Sequence, residues 1–325
     1  LCDRRQRQMC IRDSFLLVLS ALCAWSCTAL DDAIVPGPAT EPQPADAPHS
    51  LRITVAPKPA FAEAAINMPD GIPLPQTRTV QTEEGTKWEE GDLVWLYVEF
   101  YYTGNTAIIH YSALKYTGTT WRYLTETEAN SLELKPNLNG ATFNRTLIYG
   151  QADGSTQYVQ ANIRAFYAGN SKPGANGLIT IPAPDSGSSV PMMEASTTLG
   201  DLSQPLTLDF TYRCSRLRIP ADYGVQMGNY KYCASCDLTG GILNIKTVAT
   251  PLDLPATAAP RDIFLLPVAN GQGTPAPITL TRSGGATWIF TPRPGTGTAT
   301  SAREYYGQSY TLPDLAPGGV TPGEM

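Results

Sequence analysis

The chain has 325 residues, of which 42% are hydrophobic and 16% are charged, and its formal net charge is −6. This length and apolar content can fill two domain cores, while the acidic balance without a Lys and Arg cluster argues against nucleic acid as a partner. The 28 glycines and 28 prolines disfavour long helices and suit many short strands joined by turns.

The beginning of the chain predicts export. Residues 1–14 resemble a translated sequencing-adapter read-through and are set aside as non-native. Residues 15–26 contain an apolar run that is too short to span a bilayer and has the length of a signal-peptide core. Small residues precede Cys27 as in a lipobox, so Cys27 is the predicted lipidation site and residues 27–50 form a solvated tether. An ordinary secretory signal that contains cysteines is the alternative.

The first predicted strand follows this tether. Leu51, Ile53 and Val55 alternate with polar residues, which is typical of a strand with one buried face. The stretch between this strand and Arg78 contains five prolines and cannot form a long element. Arg78 lies in a polar connector and would suit a trypsin-like protease, or it is a solvated loop residue.

Strand patterns then fill the rest of the chain. Residues 91–102 are β-branched and aromatic and predict a strand buried on both faces, the first permanent strand of a β-sandwich. Residues 106–116 and 121–124 predict a hairpin around Gly118. Further strands are predicted at residues 131–138, 142–149, 158–167, 206–219, 241–248, 262–268, 278–281, 287–291 and 309–312. The fold class is therefore all-β, with an N-terminal β-sandwich domain at 51–190 and a C-terminal β-sandwich domain at 191–325.

The sequence offers little material for catalysis or metal binding. Its two histidines are His49, in the tether, and His110, in an alternating strand, so a nucleophilic triad is not expected. Cys233 and Cys236 have zinc-ligand spacing without a second pair. Outside the cytoplasm Cys214 could form a disulfide with either of them, and all three are interpreted as structural or incidental. We expect no enzyme activity, no metal and no cofactor.

Several segments together carry a family resemblance. They are Thr77-Arg78, Gly-Asp-Leu-Val-Trp-Leu-Tyr-Val at 91–98, Leu-Lys-Tyr-Thr-Gly-Thr-Thr-Trp at 114–121, Ala-Phe-Tyr-Ala at 165–168, Met-Glu-Ala at 193–195 and the strand at 206–217. In order and spacing they resemble the fimbrillin family of exported bacterial lipoproteins, over roughly residues 51–312. The resemblance implies two tandem transthyretin-like Greek-key β-sandwich domains, a palmitate-bearing lipid anchor in the outer membrane, proteolysis after an arginine and polymerisation by strand exchange.

This resemblance leads to a functional hypothesis. The protein would be a structural subunit, or an accessory or tip adhesin, of a cell-surface fimbria, with other fimbrial subunits as partners. A trypsin-like processing protease would cut after Arg78 and release the removable strand with Leu51, Ile53 and Val55. The end of the chain, after residues 310–312, is rich in proline and glycine and is a poor donor strand, so either the chain is cut short or the subunit lies at a tip or base.

A second hypothesis comes from another class of protein. Exposed aromatic residues could stack on sugars in a monomeric glycan-binding surface lipoprotein, and the candidates are Trp121, Tyr123, Tyr305 and Tyr306. Packing in the domain cores is the other interpretation of the same residues.

Overall fold

The computed structural model describes residues 49–64, 87–103, 107–138, 140–186, 189–228, 230–238, 242–248, 251–266, 277–285, 287–290 and 308–311. All of these residues belong to the unit Pro42–Met325. The predicted read-through, signal peptide and lipidation site Cys27 lie outside the described residues, and so do Arg78, Tyr305 and Tyr306.

β-Strands account for most of the secondary structure. The single α-helix of the described residues, α1, spans Glu126–Ser131, and a short 3-10 turn spans Pro184–Ser186. The strands are β1 (Ile53–Val55), β2 (Ala62–Ala64), β3 (Leu93–Tyr101), β4 (Ala107–Tyr116), β5 (Trp121–Tyr123), β6 (Asn137–Leu138), β7 (Ala141–Phe143), β8 (Gln160–Tyr167), β9 (Leu178–Thr180), β10 (Met193–Leu199), β11 (Leu206–Leu208), β12 (Thr211–Tyr212), β13 (Ser215–Ile219), β14 (Tyr223–Met227), β15 (Tyr230–Asp237), β16 (Ile242–Val248), β17 (Leu252–Leu254), β18 (Arg261–Leu265), β19 (Ile278–Arg282), β20 (Thr287–Phe290) and β21 (Gln308–Thr311). The predicted all-β class is confirmed.

The largest sheet is built around β3. Its strand order is β12-β10-β8-β3-β4-β7-β6, and β5 pairs with β4. β3 is antiparallel to β4 along its whole length and to β8 from Trp95 to Tyr101. Successive side chains of a strand point to opposite faces, so Val94, Leu96, Val98 and Phe100 enter one core while Leu93, Trp95 and Tyr97 enter another. The prediction that this strand is buried on both faces is confirmed.

Four smaller sheets surround this one. β1 pairs with β11, and β16-β15-β9 form a three-stranded sheet whose β15 side chains Cys233 and Cys236 contribute to the core of Trp95. Two four-stranded sheets follow the orders β18-β13-β21-β2 and β17-β14-β19-β20. A third core, with Ile219, Tyr223 and Leu280, lies between strands of the second half.

The predicted domain boundary at residue 190 lies just before β10. β10 pairs with β8 over seven residues, and β12 pairs with β10, so the large sheet extends to Tyr212. β13 begins at Ser215 and belongs to a different sheet. The division into two tandem Greek-key domains stays a prediction.

The predicted hairpin is confirmed, but the strand predicted after it is mostly absent. β4 and β5 form the predicted hairpin, in which Leu114 faces Tyr123 and Gly118 has a φ of +88°, a conformation that favours glycine. The strand predicted at 131–138 is wrong except for β6 at its end. α1 precedes it because Thr125 and Glu128 form a capping box that satisfies the first amide groups of the helix.

Candidate functional site

Residues 49–64, called the inserted segment below, form the candidate site. Leu51 is 2% exposed and Ile53 is 7% exposed, and both belong to the core that faces Val94 and Leu96. Val55 is half-buried and packs against the same core. The three residues of the predicted strand therefore pack against one face of the large sheet, as their alternation with polar residues indicated.

The backbone of this segment is bonded to two distant parts of the chain. β1 is parallel to β11, with Ile53 opposite Leu206 and Val55 opposite Leu208. The Leu206 amide donates to the Arg52 carbonyl at 2.9 Å, and the Leu51 amide donates to the Leu147 carbonyl at 2.8 Å. A strand of three residues thus has few backbone hydrogen bonds to its neighbour. Burial of its side chains therefore contributes most of the free energy that holds β1 in place.

Three aromatic side chains donate hydrogen bonds to carbonyl groups of the inserted segment. The Tyr123 hydroxyl donates to the Leu51 carbonyl at 2.9 Å in a buried position. Trp88 Nε1 donates to the Ala56 carbonyl at 2.8 Å, and the Tyr212 hydroxyl donates to the Pro59 carbonyl at 2.8 Å. These donors contact backbone atoms, which every peptide has, so they would hold an extended chain whatever its sequence.

Lys58 lies among aromatic rings. Its Nζ is 4.9 Å from the centroid of the Tyr167 ring and 5.4 Å from that of Trp88. Burial lowers the pKa of Lys58 below its ordinary value, while the nearby Asp92 and Glu89 carboxylates act in the opposite direction. The Tyr167 hydroxyl in turn donates to Asp92 Oδ1 at 3.0 Å, which fixes the ring and the carboxylate together.

Phe61 occupies a flat slot further along the segment. Its ring stacks on Tyr212 at a centroid distance of 3.7 Å and an angle of 21°, and the centroid of the Phe264 ring lies 5.8 Å away. The guanidinium carbon of Arg216 lies 4.7 Å from the Phe61 centroid. Arg216 is only 3% exposed and pairs with Asp262, with Nη1 3.7 Å from Oδ2.

The inserted segment therefore reaches from the core of the large sheet to a second sheet. After Phe61, β2 pairs in parallel with β21, which is also paired with β13. Sequence reasoning found Leu51, Ile53 and Val55 because they alternate. It missed Lys58, which lies between two prolines, and Phe61, because neither residue follows a period. An aromatic residue in a proline-rich connector was the signal that could have identified Phe61.

The other candidate site residues are structural where they are described. Cys214, Cys233 and Cys236 are buried free thiols, and burial raises the pKa of Cys214 and of Cys233 to about 12. His110 is half-buried, and burial lowers its pKa. Within the described ranges, no group of three His, Cys, Asp or Glu side chains is placed to hold a metal ion.

Two of the predicted sugar-stacking residues, Trp121 and Tyr123, lie in the described part of the chain. Tyr123 is 3% exposed, and Trp121 is half-buried with its ring 5.1 Å from Trp88 in an edge contact. Tyr305 and Tyr306 lie outside the described residues. In the described part of the chain, no helix is both long enough and apolar enough to cross a membrane.

Comparison with known proteins gives similarity only to solved structures. No protein-family model and no curated protein matches the chain. A candidate cell adhesion protein of Bacteroides uniformis is 16% identical at a TM-score of 0.39, over 63% of this chain and 79% of that chain. A second candidate cell adhesion protein, from Bacteroides ovatus, is 14% identical at a TM-score of 0.42. The similarity covers 74% of this chain and 86% of that chain.

A fimbrial assembly protein of Parabacteroides distasonis is also similar. It is 12% identical at a TM-score of 0.31, over 68% of this chain and 82% of that chain. The class that the described structure itself defines is an all-β protein with an extended N-terminal segment inserted into its core.

Proposed function

We propose that the protein is a structural subunit, or an accessory or tip adhesin, of a cell-surface fimbria that assembles by strand exchange. In this proposal Cys27 carries a lipid that holds the precursor in the outer membrane, and a trypsin-like protease cuts after Arg78. The inserted segment then leaves, and an extended segment of another fimbrial subunit takes its place. The observation that carries the proposal is that Leu51 and Ile53 are core residues in a segment whose strand β1 has only three residues.

The energetics of burial favour replacement over an empty groove. Fully burying Leu51 and Ile53 contributes about 1.5–3 kcal/mol each. Their sum of roughly 3–6 kcal/mol is comparable with the net stability of a whole domain, about 5–15 kcal/mol. Without the segment, the Tyr123, Trp88 and Tyr212 donors and the edge of β11 would also lose their partners. Adding a strand from a neighbouring subunit restores both kinds of contact.

The position of Arg78 in the chain agrees with this order of events. Arg78 lies between the last residue of the inserted segment and β3, so a cut there separates the segment covalently from the large sheet. The core contacts would still hold the severed segment until another strand competes for its place. Cleavage would therefore permit assembly, and the competing strand would drive it.

Limited proteolysis of the full chain tests the proposal. Trypsin treatment should create a new amino terminus at Thr79, and the product should form a ladder of oligomers on native gels. Arg78→Ala should stay monomeric under the same treatment, whereas the control Lys87→Ala should behave like the parent. A protein that is cut after Arg78, releases residues 49–64 and still remains monomeric at high concentration contradicts strand exchange. An unchanged monomer whose mobility shifts with added polysaccharide would favour the glycan-binding alternative.

A further inference from the structure

The groove of the inserted segment contains two places that distinguish side chains. The first, called the lysine box, consists of the Trp88 and Tyr167 rings and the Asp92 carboxylate around Lys58. The second, called the aromatic slot, consists of Tyr212, Phe264 and Arg216 around Phe61. Leu51 and Ile53, in contrast, occupy an apolar core that would accept other aliphatic residues of similar size.

We propose that the groove selects an incoming segment by a lysine in the lysine box and an aromatic residue three positions away in the aromatic slot. This inference rests on the proposed function, because it names the chemistry of the segment that replaces residues 49–64. The partner is an extended segment of another subunit with this Lys-x-x-aromatic pair. Apolar residues at the positions of Leu51 and Ile53 add affinity without selectivity.

The lysine box attracts a cation on a long, flexible stem, against the cost of desolvating the ammonium group that lowers the pKa of Lys58. The faces of the Trp88 and Tyr167 rings carry negative electrostatic potential and attract the ammonium group between them. The Asp92 and Glu89 carboxylates add attraction of the same sign. An uncharged side chain of the same length loses both contributions, and a carboxylate would be repelled.

The aromatic slot requires a flat π-system. Tyr212 lies nearly parallel to the Phe61 ring at a centroid distance of 3.7 Å, a stacking contact that only a planar side chain can make. The Arg216 guanidinium lies over the same ring, in a position where an aliphatic side chain offers no cation–π attraction. Since Arg216 is 3% exposed, an unfilled slot would also uncover a buried charge that pairs with Asp262.

The spacing of the two places is specific within this chain. Three residues of extended chain span roughly 10 Å, and the intervening Ala60 is exposed, so it does not contribute to selection. Of the seven lysines in the printed sequence, only Lys58 has an aromatic residue three positions away in either direction. No other stretch of the printed residues carries this pair, so a second copy of the chain would enter the groove more weakly than a different subunit that carries it.

A peptide-exchange experiment tests this inference. A site-specific protease sequence replaces residues 76–81 of the full chain, and the cut protein is incubated with a fluorescent peptide of residues 49–64. Unlabelled peptides then compete for the groove. The pair Lys58→Ala with Ala60→Lys preserves composition and charge but moves the lysine out of its box, and it should compete at least tenfold more weakly. The pair Phe61→Ala with Ala60→Phe should compete at least a hundredfold more weakly.

The experiment has one control, and different results would contradict selection by Lys58 and Phe61 and strand exchange itself. Ala60→Ser changes an exposed position and should compete within twofold of the unmodified peptide. Rearranged peptides that compete within twofold of it would overturn selection by Lys58 and Phe61 while leaving strand exchange intact. If the cut protein does not bind even the unmodified peptide, that result contradicts strand exchange itself. It then also contradicts selection by the Lys-x-x-aromatic pair, which depends on strand exchange.

Discussion

β3 and the inserted segment both bury side chains completely, yet they are attached in different ways. β3 has nine residues and is hydrogen-bonded along both edges, to β4 and to β8. β1 has three residues and pairs with β11 on one edge. The inner face of β3 and the residues Leu51 and Ile53 meet in one core. The two segments thus contribute to the same core, but β3 is held by backbone hydrogen bonds on two edges and β1 on one.

The largest effect is expected from the permanent strand. Trp95→Ala removes a fully buried ring whose Nε1 donates to the Ser171 carbonyl at 2.9 Å. We expect it to lower the free energy of unfolding by about 3–5 kcal/mol, both in the uncut protein and after cleavage of the connector. Urea denaturation measures this, with the exposed Val159→Ala as control. A loss confined to the uncut protein would mean that β3 is no more permanent than β1.

Leu51→Ala should have a large effect that depends on cleavage. In the uncut protein the cavity should cost about 2–5 kcal/mol of unfolding free energy. After the connector is cut and an unmodified 49–64 peptide has taken the place of the segment, the denaturation midpoint should return to that of the parent. Ile289→Ala, at a 44% exposed residue, serves as the control. A midpoint that stays low after exchange contradicts replacement of the segment.

Tyr123→Phe should have a smaller effect on the same segment. The change leaves the ring in place but removes the only hydroxyl that donates to the Leu51 carbonyl among the described residues. A buried carbonyl without its donor costs about 1–3 kcal/mol. The rate at which the cut protein releases a labelled 49–64 peptide should rise accordingly. Tyr101→Phe, whose hydroxyl donates to Glu99, should leave that rate unchanged.

The smallest effect is expected at a partly exposed ion-pair cluster of β4, β5 and α1. Arg122 donates to both carboxylate oxygens of Glu128, and together with Lys115 it holds the pKa of Glu128 well below its ordinary value of 4.5. A carboxylate with a lowered native pKa stabilises the fold at neutral pH and loses that contribution as the pH falls below its unfolded value. Glu128→Gln should therefore destabilise the protein by about 0.5–1 kcal/mol at pH 7.

Urea midpoints of the parent and of Glu128→Gln, measured from pH 7 downward, check this. The gap between the two proteins should begin to narrow near the unfolded pKa of about 4.3 and should keep narrowing as the pH falls toward the lowered native pKa of Glu128. Glu126→Gln is the control, because that side chain is 69% exposed and lies 3.9 Å from Arg145. A gap that stays constant with pH would show that the effect of Glu128→Gln comes from helix capping and not from charge.

Local sequence patterns correctly predicted strands whose side chains alternate or form a continuous apolar run. The alternation at residues 51–55 and the apolar run at 91–102 each identify buried faces, because a strand has a period of two whatever it pairs with. The same reasoning failed at 131–138, where Ser131 ends α1 and only Asn137–Leu138 form a strand. It also treated residues 206–219 as one strand, although the structure divides them among β11, β12 and β13.

What the sequence alone determined is the all-β class and the apolar character of Leu51, Ile53 and Val55, since both depend on side chains that are close in the chain. The tertiary structure decided that β1 pairs in parallel with β11, about 150 residues away, and that Lys58 and Phe61 meet Tyr167, Trp88, Tyr212 and Arg216. Such contacts follow from the path of the whole chain, because a proline-rich stretch has no period of its own that would indicate its partners.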